Sequence, residues 1–241
     1  MSATPAVQAW AGRPAWSVLD CAFGDGQHLL HIWTAWRADP QRPRMLHYVA
    51  MADTFTGVES TSPFAEALNA ACRGLPAGFH RIALENGQLS LTLCLGHAAD
   101  TLDAQDFQAD QIFAPTSVLA ADKWAVKAVA RCCKRGTQLA MPGTAPEVLP
   151  TPWLDAGFKL HHTLPPCPGL NTIALFDPGW TLKRTRHGSS TWDRPATGRC
   201  VVVGAGLAGA SVARALALRG WQVTVIDRCT EPAGGASGLP V

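Results

Sequence analysis

The sequence has little net charge, no long apolar run and no recognisable leader. Its formal charge is +2 over 241 residues, which gives no whole-chain case for a nucleic-acid binder, so such a partner has to be argued from local patches. No apolar run approaches the roughly 18 residues that a membrane-spanning helix needs. Residues 1–14 contain neither a basic start nor an apolar signal segment. We therefore expect no membrane partner and a soluble, cytoplasmic protein.

Cysteines with metal-binding or redox spacing are also missing. The eight cysteines include no C-x-x-C pair and no two pairs spaced like zinc ligands. The sequence therefore predicts no metal site, and thiols that are buried or unreactive in a reducing compartment. They are Cys21, Cys72, Cys94, Cys132, Cys133, Cys167, Cys200 and Cys229.

The apolar content, 47%, is enough to bury a real core, and the length suggests one or two domains of roughly 150 residues each. Strands alternating with helices predict a doubly wound α/β domain over 14–178, and a polar stretch rich in glycine and proline predicts a linker over 179–198. The linker's basic cluster is interpreted either as solvated or as a phosphate-contacting patch. Its members are Lys183, Arg184, Arg186 and His187.

A glycine-rich strand, turn, helix, strand unit occupies 199–241. Gly204, Gly206 and Gly209 form G-x-G-x-x-G directly after the apolar run 201–203, and a second strand ends in Asp227. In this motif the first glycine makes the tight turn, the second lets backbone N–H groups approach a pyrophosphate, and the third lets helix pack close on strand. An acid about 20 residues on is expected to bind ribose. The pattern predicts a dinucleotide site, of which only the opening βαβ unit is present; a structural glycine-rich turn is the alternative.

A second strand, turn, helix pattern lies near the start of the chain. A short strand through Val18 and Leu19 ends in Asp20, Gly24 and Gly26 follow, and the apolar spacing of 29–36 predicts a helix stopped at Asp39-Pro40. The acid and glycines are placed as in the D/ExGxGxG loop of class I methyltransferases, with Ala22 where the first glycine would stand. An ordinary βα turn is the alternative.

The next strands predict further contacts with a nucleoside cofactor. The strand 45–51 leads to Ala52-Asp53, and Asp53 is a candidate for the ribose hydroxyls, offset by one residue from the expected acid. Ser62-Pro63 predicts a helix start. Two alternating runs around Asn86-Gly87 predict a hairpin whose second strand leads to His97.

The remaining pattern completes the α/β domain and closes on a pair of strands. The predicted elements are a strand at 111–113 running into Ala114-Pro115, a helix from about Ser117 to Cys133 stopped by Lys134-Arg135-Gly136, a strand at 137–141, a helical turn at 153–158, and strands at 159–164 and 171–176.

Taken together, these segments resemble one family in matching order: the bifunctional enzymes of tRNA 5-methylaminomethyl-2-thiouridine biosynthesis. The segments are AWAGRPAW, VLDCAFGDGQHLLHIWTAWRADP, RMLHYVAM, the hairpin, WLDAGF, VVVGAGLAGAS and GGASG. The resemblance implies a class I methyltransferase-like sheet followed by the first βαβ unit of a Rossmann FAD-binding domain. It also implies tRNA as the partner. In the family, an FAD-dependent oxidoreductase removes the carboxymethyl group from the modified wobble uridine, and an S-adenosylmethionine-dependent module methylates the freed amine.

The resemblance assigns the candidate site residues by position. Asp20, Gly24 and Gly26 would line the S-adenosylmethionine site, with Asp53 as the candidate ribose contact. The adenosine diphosphate part of FAD would be held by Gly204, Gly206, Gly209 and Asp227, and Ser237 would lie close to the flavin's phosphates.

The chain departs from the family at three points of the methyltransferase site. The family has acids where this chain has Ala52 and His97, and its LDGF segment after the fourth strand is absent. The aspartate of that segment is the expected base for the amine, so the sequence predicts a degenerate methyltransferase site. No catalytic residue is assigned.

Two other functions are compatible with the same residues. One is a general FAD-dependent amine or amino-acid oxidoreductase fused to a relic domain. The other is a non-catalytic docking domain over residues 1–178. The general oxidoreductase would not bind tRNA in a salt-dependent way, whereas the tRNA enzyme would. The docking domain would bind its partner but not S-adenosylmethionine.

Overall fold

A computed structural model describes residues 9–105, 107–115, 123–141, 149–161, 171–181 and 198–231. The chain divides into two compact units. The first comprises 1–82 and 90–192, and the second comprises 83–89 and 193–241.

The main sheet has eight strands in the order β3-β4-β2-β1-β5-β6-β8-β7. Strand β1 pairs in parallel with β2 and β5, and β5 pairs in parallel with β6, whereas β8 is antiparallel to both β6 and β7. The strands are β1 (Ala15–Asp20), β2 (Met45–Ala52), β3 (Gly78–Leu84), β4 (Leu89–Leu95), β5 (Ala109–Phe113), β6 (Cys133–Met141), β7 (Phe158–Leu160) and β8 (Asn171–Phe176).

Five helices accompany this sheet in the described residues: α1 (Gln27–Ala38), α2 (Ala65–Cys72), α3 (Ala98–Asp103), α4 (Lys123–Arg131) and α5 (Thr151–Asp155). Helix α1 buries the side chains that its apolar spacing predicts, and it ends at Asp39 as expected. Its buried residues are Leu29, Leu30, Ile32, Trp33 and Trp36. A mainly parallel sheet with buried central strands is the predicted α/β fold class, which is confirmed.

Two predicted boundaries in the first half are wrong by a few residues. Helix α2 begins at Ala65, and the Ser62 hydroxyl instead accepts a hydrogen bond from the Phe64 N–H in the turn that precedes it. Four residues, 85–88, join β3 to β4, where Asn-Gly had suggested a two-residue turn. Glu85, Asn86 and Gly87 all have positive φ, and this run of left-handed residues needs the longer connection.

The boundary between α4 and β6 is also corrected. The described helix ends at Arg131, and β6 begins at Cys133, so that Lys134-Arg135-Gly136 lies inside the strand. Cys133 pairs with Ala109 of β5, and the next paired residue, Gln138, lies between Gln111 of β5 and Leu175 of β8, so the register shifts over this segment. The Thr137 hydroxyl accepts the Lys134 N–H and donates to the Lys134 carbonyl, which gives this irregular stretch its own hydrogen bonds. Strand β5 likewise begins two residues before the predicted start, at Ala109.

The second unit contains a separate two-stranded parallel sheet. Strand β9 (Arg199–Val203) is followed by helix α6 (Leu207–Leu218) and strand β10 (Gln222–Ile226), in the predicted βαβ order. Its apolar side chains are exposed to an unusual degree, with Val203 81% and Val201 59% accessible. The basic cluster of the linker lies outside the described residues.

Candidate functional site

A buried carboxylate marks the end of the central strand. Asp20 is the last residue of β1 and its side chain is fully buried. Its Oδ2 accepts a 2.7 Å hydrogen bond from the Tyr48 hydroxyl and lies 3.7 Å from His28 Nδ1. Its Oδ1 accepts a 3.1 Å bond from the Ala22 N–H. Three groups of the protein itself therefore surround this carboxylate.

The same contacts shift the acid–base behaviour of the neighbours. The close approach of the Asp20 carboxylate raises the pKa of His28, against the opposing effect of its partial burial. Burial, with the nearby Asp20 charge, raises the pKa of Tyr48 well above its usual value. Tyr48 thus remains a hydrogen-bond donor across the physiological range, and His28 favours its charged form beside Asp20.

The turn after β1 requires glycine at two positions. Gly24 and Gly26 have φ of +53° and +72°, in the left-handed region. At Gly26 a Cβ atom would approach Val58 Cγ2 to 2.7 Å and Phe23 Cζ to 3.2 Å, so any side chain would displace its neighbours. The Gly26 carbonyl also accepts the N–H of Leu30, in the first turn of α1. Both glycines lie in the loop where the sequence predicted them.

Backbone hydrogen bonds tie this loop to the ends of the two adjacent strands. The Cys21 N–H donates to the Phe113 carbonyl on β5, at 2.8 Å, and the Phe23 N–H donates to the Met51 carbonyl on β2, at 2.9 Å. The carboxyl ends of β5, β1 and β2 therefore meet at one edge of the sheet, which is where ligands bind in open α/β folds.

Asp53 and His97 follow the two strands on one side of β1. Asp53 is exposed and lies one residue beyond the end of β2, and His97 is exposed at the start of α3. The Ala52 carbonyl accepts a 2.9 Å bond from the Gly96 N–H, which joins the ends of β2 and β4. The last residue of β2, Ala52, therefore brings only a methyl group to this edge.

On the other side of β1, strand β5 leads to two residues without a carboxylate. Ala114 and Pro115 follow Phe113, and the Ala114 N–H donates to the Ala140 carbonyl at 3.1 Å. Residues 116–122 lie outside the description. In the described residues no acid occupies the place of the family's expected base.

Sequence reasoning missed Tyr48 and His28. Tyr48 is the only tyrosine of the chain and lies within a buried apolar strand, in register with Val18. A lone polar hydroxyl in such a strand needs a buried partner, which was the available signal. His28 is the second residue of α1, and nothing in its spacing indicated that it would face Asp20.

The glycine-rich unit has the tight geometry that its sequence predicts. Gly204 has φ of +103°, and its N–H donates to the Ile226 carbonyl at 2.7 Å. A Cβ atom at Gly209 would lie 1.8 Å from the Gly204 carbonyl oxygen, which is sterically impossible. Gly206 caps the N-terminus of α6 without a side-chain bond. The helix therefore begins directly against the turn that follows β9.

Asp227 follows β10 and faces this turn. Its Oδ2 accepts a 2.6 Å bond from the Ala205 N–H and its Oδ1 a 2.8 Å bond from the Cys229 N–H. The bond from Ala205, followed by that from Cys229, lowers the pKa of Asp227. A concave surface of about 440 Å³ lies alongside, with dimensions suited to a nucleoside. Its lining residues are Val203, Gly204, Ile226, Asp227 and Arg228. Ser237 lies outside the described residues.

Three further features concern the described residues as a set. They contain no group of three or more histidine, cysteine, aspartate or glutamate side chains that could hold a metal ion. No helix among them is both long and apolar enough to cross a bilayer. Seven of the eight cysteines are described, none of the seven forms a disulfide, and five of them are buried.

The fold and these two sites define a class: a class I methyltransferase-like α/β unit joined to the opening βαβ unit of a Rossmann domain. Residues 199–240 match the family model of the FAD dependent oxidoreductases. Among solved structures, the chain is similar to MNMC2 from Aquifex aeolicus, with a TM-score of 0.50 and 16% identity over 74% of this chain and 60% of that one. That likeness supports the fold alone.

The family resemblance predicted from the sequence is confirmed. The chain is similar to proteins named tRNA 5-methylaminomethyl-2-thiouridine biosynthesis bifunctional protein MnmC. It is 43% identical to that of Albidiferax ferrireducens over 97% of this chain and 42% of the relative. It is also 43% identical to that of Polaromonas naphthalenivorans, over 96% of this chain and 38% of the relative. The chain therefore belongs to this family, and it spans about two fifths of the length of these relatives.

Proposed function

We propose that this chain is part of an enzyme that modifies the wobble uridine of tRNA. The observation that carries the proposal is the similarity to the bifunctional proteins across both units, so that a methyltransferase-like sheet and a flavin fingerprint occur together in one chain. In this proposal the methyltransferase-like domain covers 14–178, a linker 179–198, and the incomplete FAD-binding unit 199–241.

In the second unit, the proposed role of the glycine-rich turn is to hold the adenosine diphosphate part of FAD. Gly204 makes the turn, Gly206 exposes the N-terminus of α6 to the pyrophosphate, and Gly209 allows the helix to approach. The lowered pKa of Asp227 favours its carboxylate form, and we propose that it accepts hydrogen bonds from the ribose hydroxyls and that Ser237 lies near the phosphates. Bound flavin supplies the electron acceptor for oxidising the carbon–nitrogen bond of the carboxymethylaminomethyl group.

In the first unit, we propose a methyltransferase site that has lost its activity. Asp20, Gly24 and Gly26 retain the loop that would line S-adenosylmethionine, with Asp53 nearby. However, the Asp20 carboxylate is already enclosed by Tyr48, His28 and Ala22.

The chemistry of methyl transfer supports the same proposal. The methyl group moves to the amine lone pair, and the amine then releases a proton, so a group must position the neutral amine and accept that proton. The described residues after β5, Ala114 and Pro115, offer neither. The first unit then serves as a scaffold for the flavin unit or for tRNA.

Nucleoside analysis of bulk tRNA by mass spectrometry tests this function in a strain that lacks the gene. Accumulation of carboxymethylaminomethyl-2-thiouridine is expected, because its carboxymethyl group is no longer removed. Restoring the natural gene should clear this nucleoside, and the Gly206→Val variant should not. An unchanged wobble-nucleoside profile in the deletion strain would contradict the proposal.

A second candidate, a general FAD-dependent amine or amino-acid oxidoreductase, is favoured by the breadth of the matched family model. It predicts an unchanged tRNA profile together with flavin reduction by a small amine. The two functions therefore give opposite results in the nucleoside analysis.

A further inference from the structure

Helix α4 exposes a large aromatic side chain to solvent. Trp124 is 66% accessible, whereas five of the described tryptophans are at most 4% accessible. The buried side of the same helix is formed by Val126, Ala128 and Val129, so packing of the helix does not require an indole on the outer side. Tryptophan is also one of the residue types enriched at contact surfaces, since its ring is large and rigid.

Two cations flank the indole ring. Lys127 Nζ lies 4.8 Å and Lys123 Nζ 5.3 Å from the ring centroid, both within cation–π distance. The sequence of α4, KWAVKAVAR, contains three basic residues and no acid. We call Lys123, Trp124 and Lys127 the Trp124 patch. Locally it is strongly basic, although the chain as a whole is nearly neutral.

The patch lies on the helix that follows β5, the neighbour of β1 in the sheet. Strands β5 and β6 are parallel, and α4 is the helix that connects them. A connecting helix runs back across the sheet, so it begins near the carboxyl end of the strand before it. The buried side of α4 belongs to the same apolar core as Leu19 of β1 and Ile112 of β5, so α4 packs on the part of the sheet that carries Asp20.

We propose that the Trp124 patch is a contact surface for tRNA, on which an unpaired base stacks on Trp124 while Lys123 and Lys127 contact the flanking phosphates. An aromatic face with adjacent cations is how proteins bind unstacked bases of RNA loops. A protein partner fits less well, because lysine is depleted at protein interfaces. The proposal rests on the proposed tRNA function, to which it adds a location.

The test is binding of a fluorescently labelled anticodon stem-loop RNA to the 241-residue chain, followed by anisotropy. Trp124→Ala should weaken binding roughly 5- to 150-fold, the effect of losing one stacked base, and Trp124→Phe should retain most of the affinity. Trp180→Ala is the matched control, since Trp180 is 51% exposed and belongs to the same unit. It should bind like the natural chain.

A salt titration separates the lysines from the ring. Replacing Lys123 and Lys127 together by glutamine should reduce the slope of log affinity against log salt by about 1.4, two single-strand phosphate contacts of about 0.7 each. Trp124→Ala should leave that slope unchanged. Equal unfolding temperatures for all variants would show that the fold is intact.

The outcomes of these experiments distinguish a failure of the Trp124 patch from a failure of the proposed function. Equal RNA affinities of Trp124→Ala and Trp180→Ala would overturn the patch while leaving the wobble-uridine function standing. Binding to anionic lipid vesicles but not to RNA, lost in Trp124→Ala, would replace the proposal with a membrane contact. A normal wobble-nucleoside profile in the deletion strain would overturn the function itself, whatever the RNA affinity.

Discussion

The hydroxyl of Tyr48 donates a 2.7 Å hydrogen bond to Asp20, a carboxylate with no solvent access. The two residues lie on the neighbouring strands β2 and β1. Burying a carboxylate is costly unless hydrogen-bond donors compensate for lost hydration. The pair therefore explains how an acid can remain at the end of the central strand of this unit.

Removing the tyrosine hydroxyl should destabilise the first unit. Tyr48→Phe removes the hydrogen bond to Oδ2 of the buried Asp20 carboxylate. The free energy of unfolding should therefore fall by about 1–3 kcal/mol. Urea unfolding followed by circular dichroism measures this change. A double-mutant cycle with Asp20→Asn isolates the pair, and a coupling energy near zero would show that the bond contributes nothing.

The His28–Asp20 contact should make stability depend on pH. The pKa of His28 in the folded state is raised above the usual value of 6.5. The contact therefore contributes its full stabilisation of the folded state below pH 6.5, and this stabilisation is lost as the pH rises through the folded-state pKa. His28→Gln should therefore lower the free energy of unfolding more at about pH 5.5 than at about pH 8.5. His31→Gln, an exposed position on the same helix, is the control. A cost that does not change with pH would contradict the assignment.

A methyl group at Gly209 should disrupt the glycine-rich unit. The Cβ atom would lie 1.8 Å from a backbone carbonyl oxygen, so α6 has to move away from β9. Gly209→Ala should cost about 1–3 kcal/mol or more, seen as faster amide exchange in β9 and β10. Gly179→Ala makes the same chemical change where no atom lies within 4 Å, and should have no such effect.

S-adenosylmethionine should bind weakly and methyl transfer should be undetectable. Ala52 and His97 stand where two polar contacts are expected, each worth about 1–3 kcal/mol when buried. Isothermal titration calorimetry measures the affinity, and a methylation assay on aminomethyluridine tRNA measures the activity. Ala52→Asp should strengthen binding if the missing contact is the cause. Micromolar binding by the natural chain would refute a degenerate site.

Residues 1–241 on their own should not retain flavin. Val201, Val203 and Val225 are at least 42% exposed, and a parallel sheet normally buries both faces, so the unit lacks the cover that would enclose an isoalloxazine ring. The purified chain should be colourless in its visible spectrum. In a chain that carries a whole oxidoreductase module, Gly206→Val should abolish the flavin absorbance and Ala208→Val, at an exposed position of α6, should not. Stoichiometric flavin in the 241-residue chain would contradict this.

Short sequence patterns correctly predicted those elements whose conformation depends mainly on their own residues. The buried side of α1 follows from apolar spacing, and the positive φ of Gly24, Gly26 and Gly204 follows from turns that disfavour any other residue. The strand β8 and its antiparallel partner β7 were also predicted, because both are bounded by proline and glycine.

Features that depend on partners distant in sequence were not predicted. Lys134-Arg135-Gly136 looks like the end of a helix, yet it lies within β6, between Cys133 and Gln138, which both pair with β5. The Lys134 ammonium also contacts the Asp110 carboxylate on β5, a neighbour that local sequence does not reveal. The enclosure of Asp20 by Tyr48 and His28 similarly joins three elements, and only the assembled sheet brings them together.

The position of β1 in the sheet has a consequence for synthesis on the ribosome. One edge of β1 pairs with β2, which begins at Met45, but the other edge pairs with β5, where Asp110 accepts the Ser17 N–H across 93 residues. At about 5–20 residues per second, this separation leaves one edge of a buried apolar strand without its partner for on the order of 5–20 s. A nascent chain of this protein thus carries an open strand edge long before its central sheet closes.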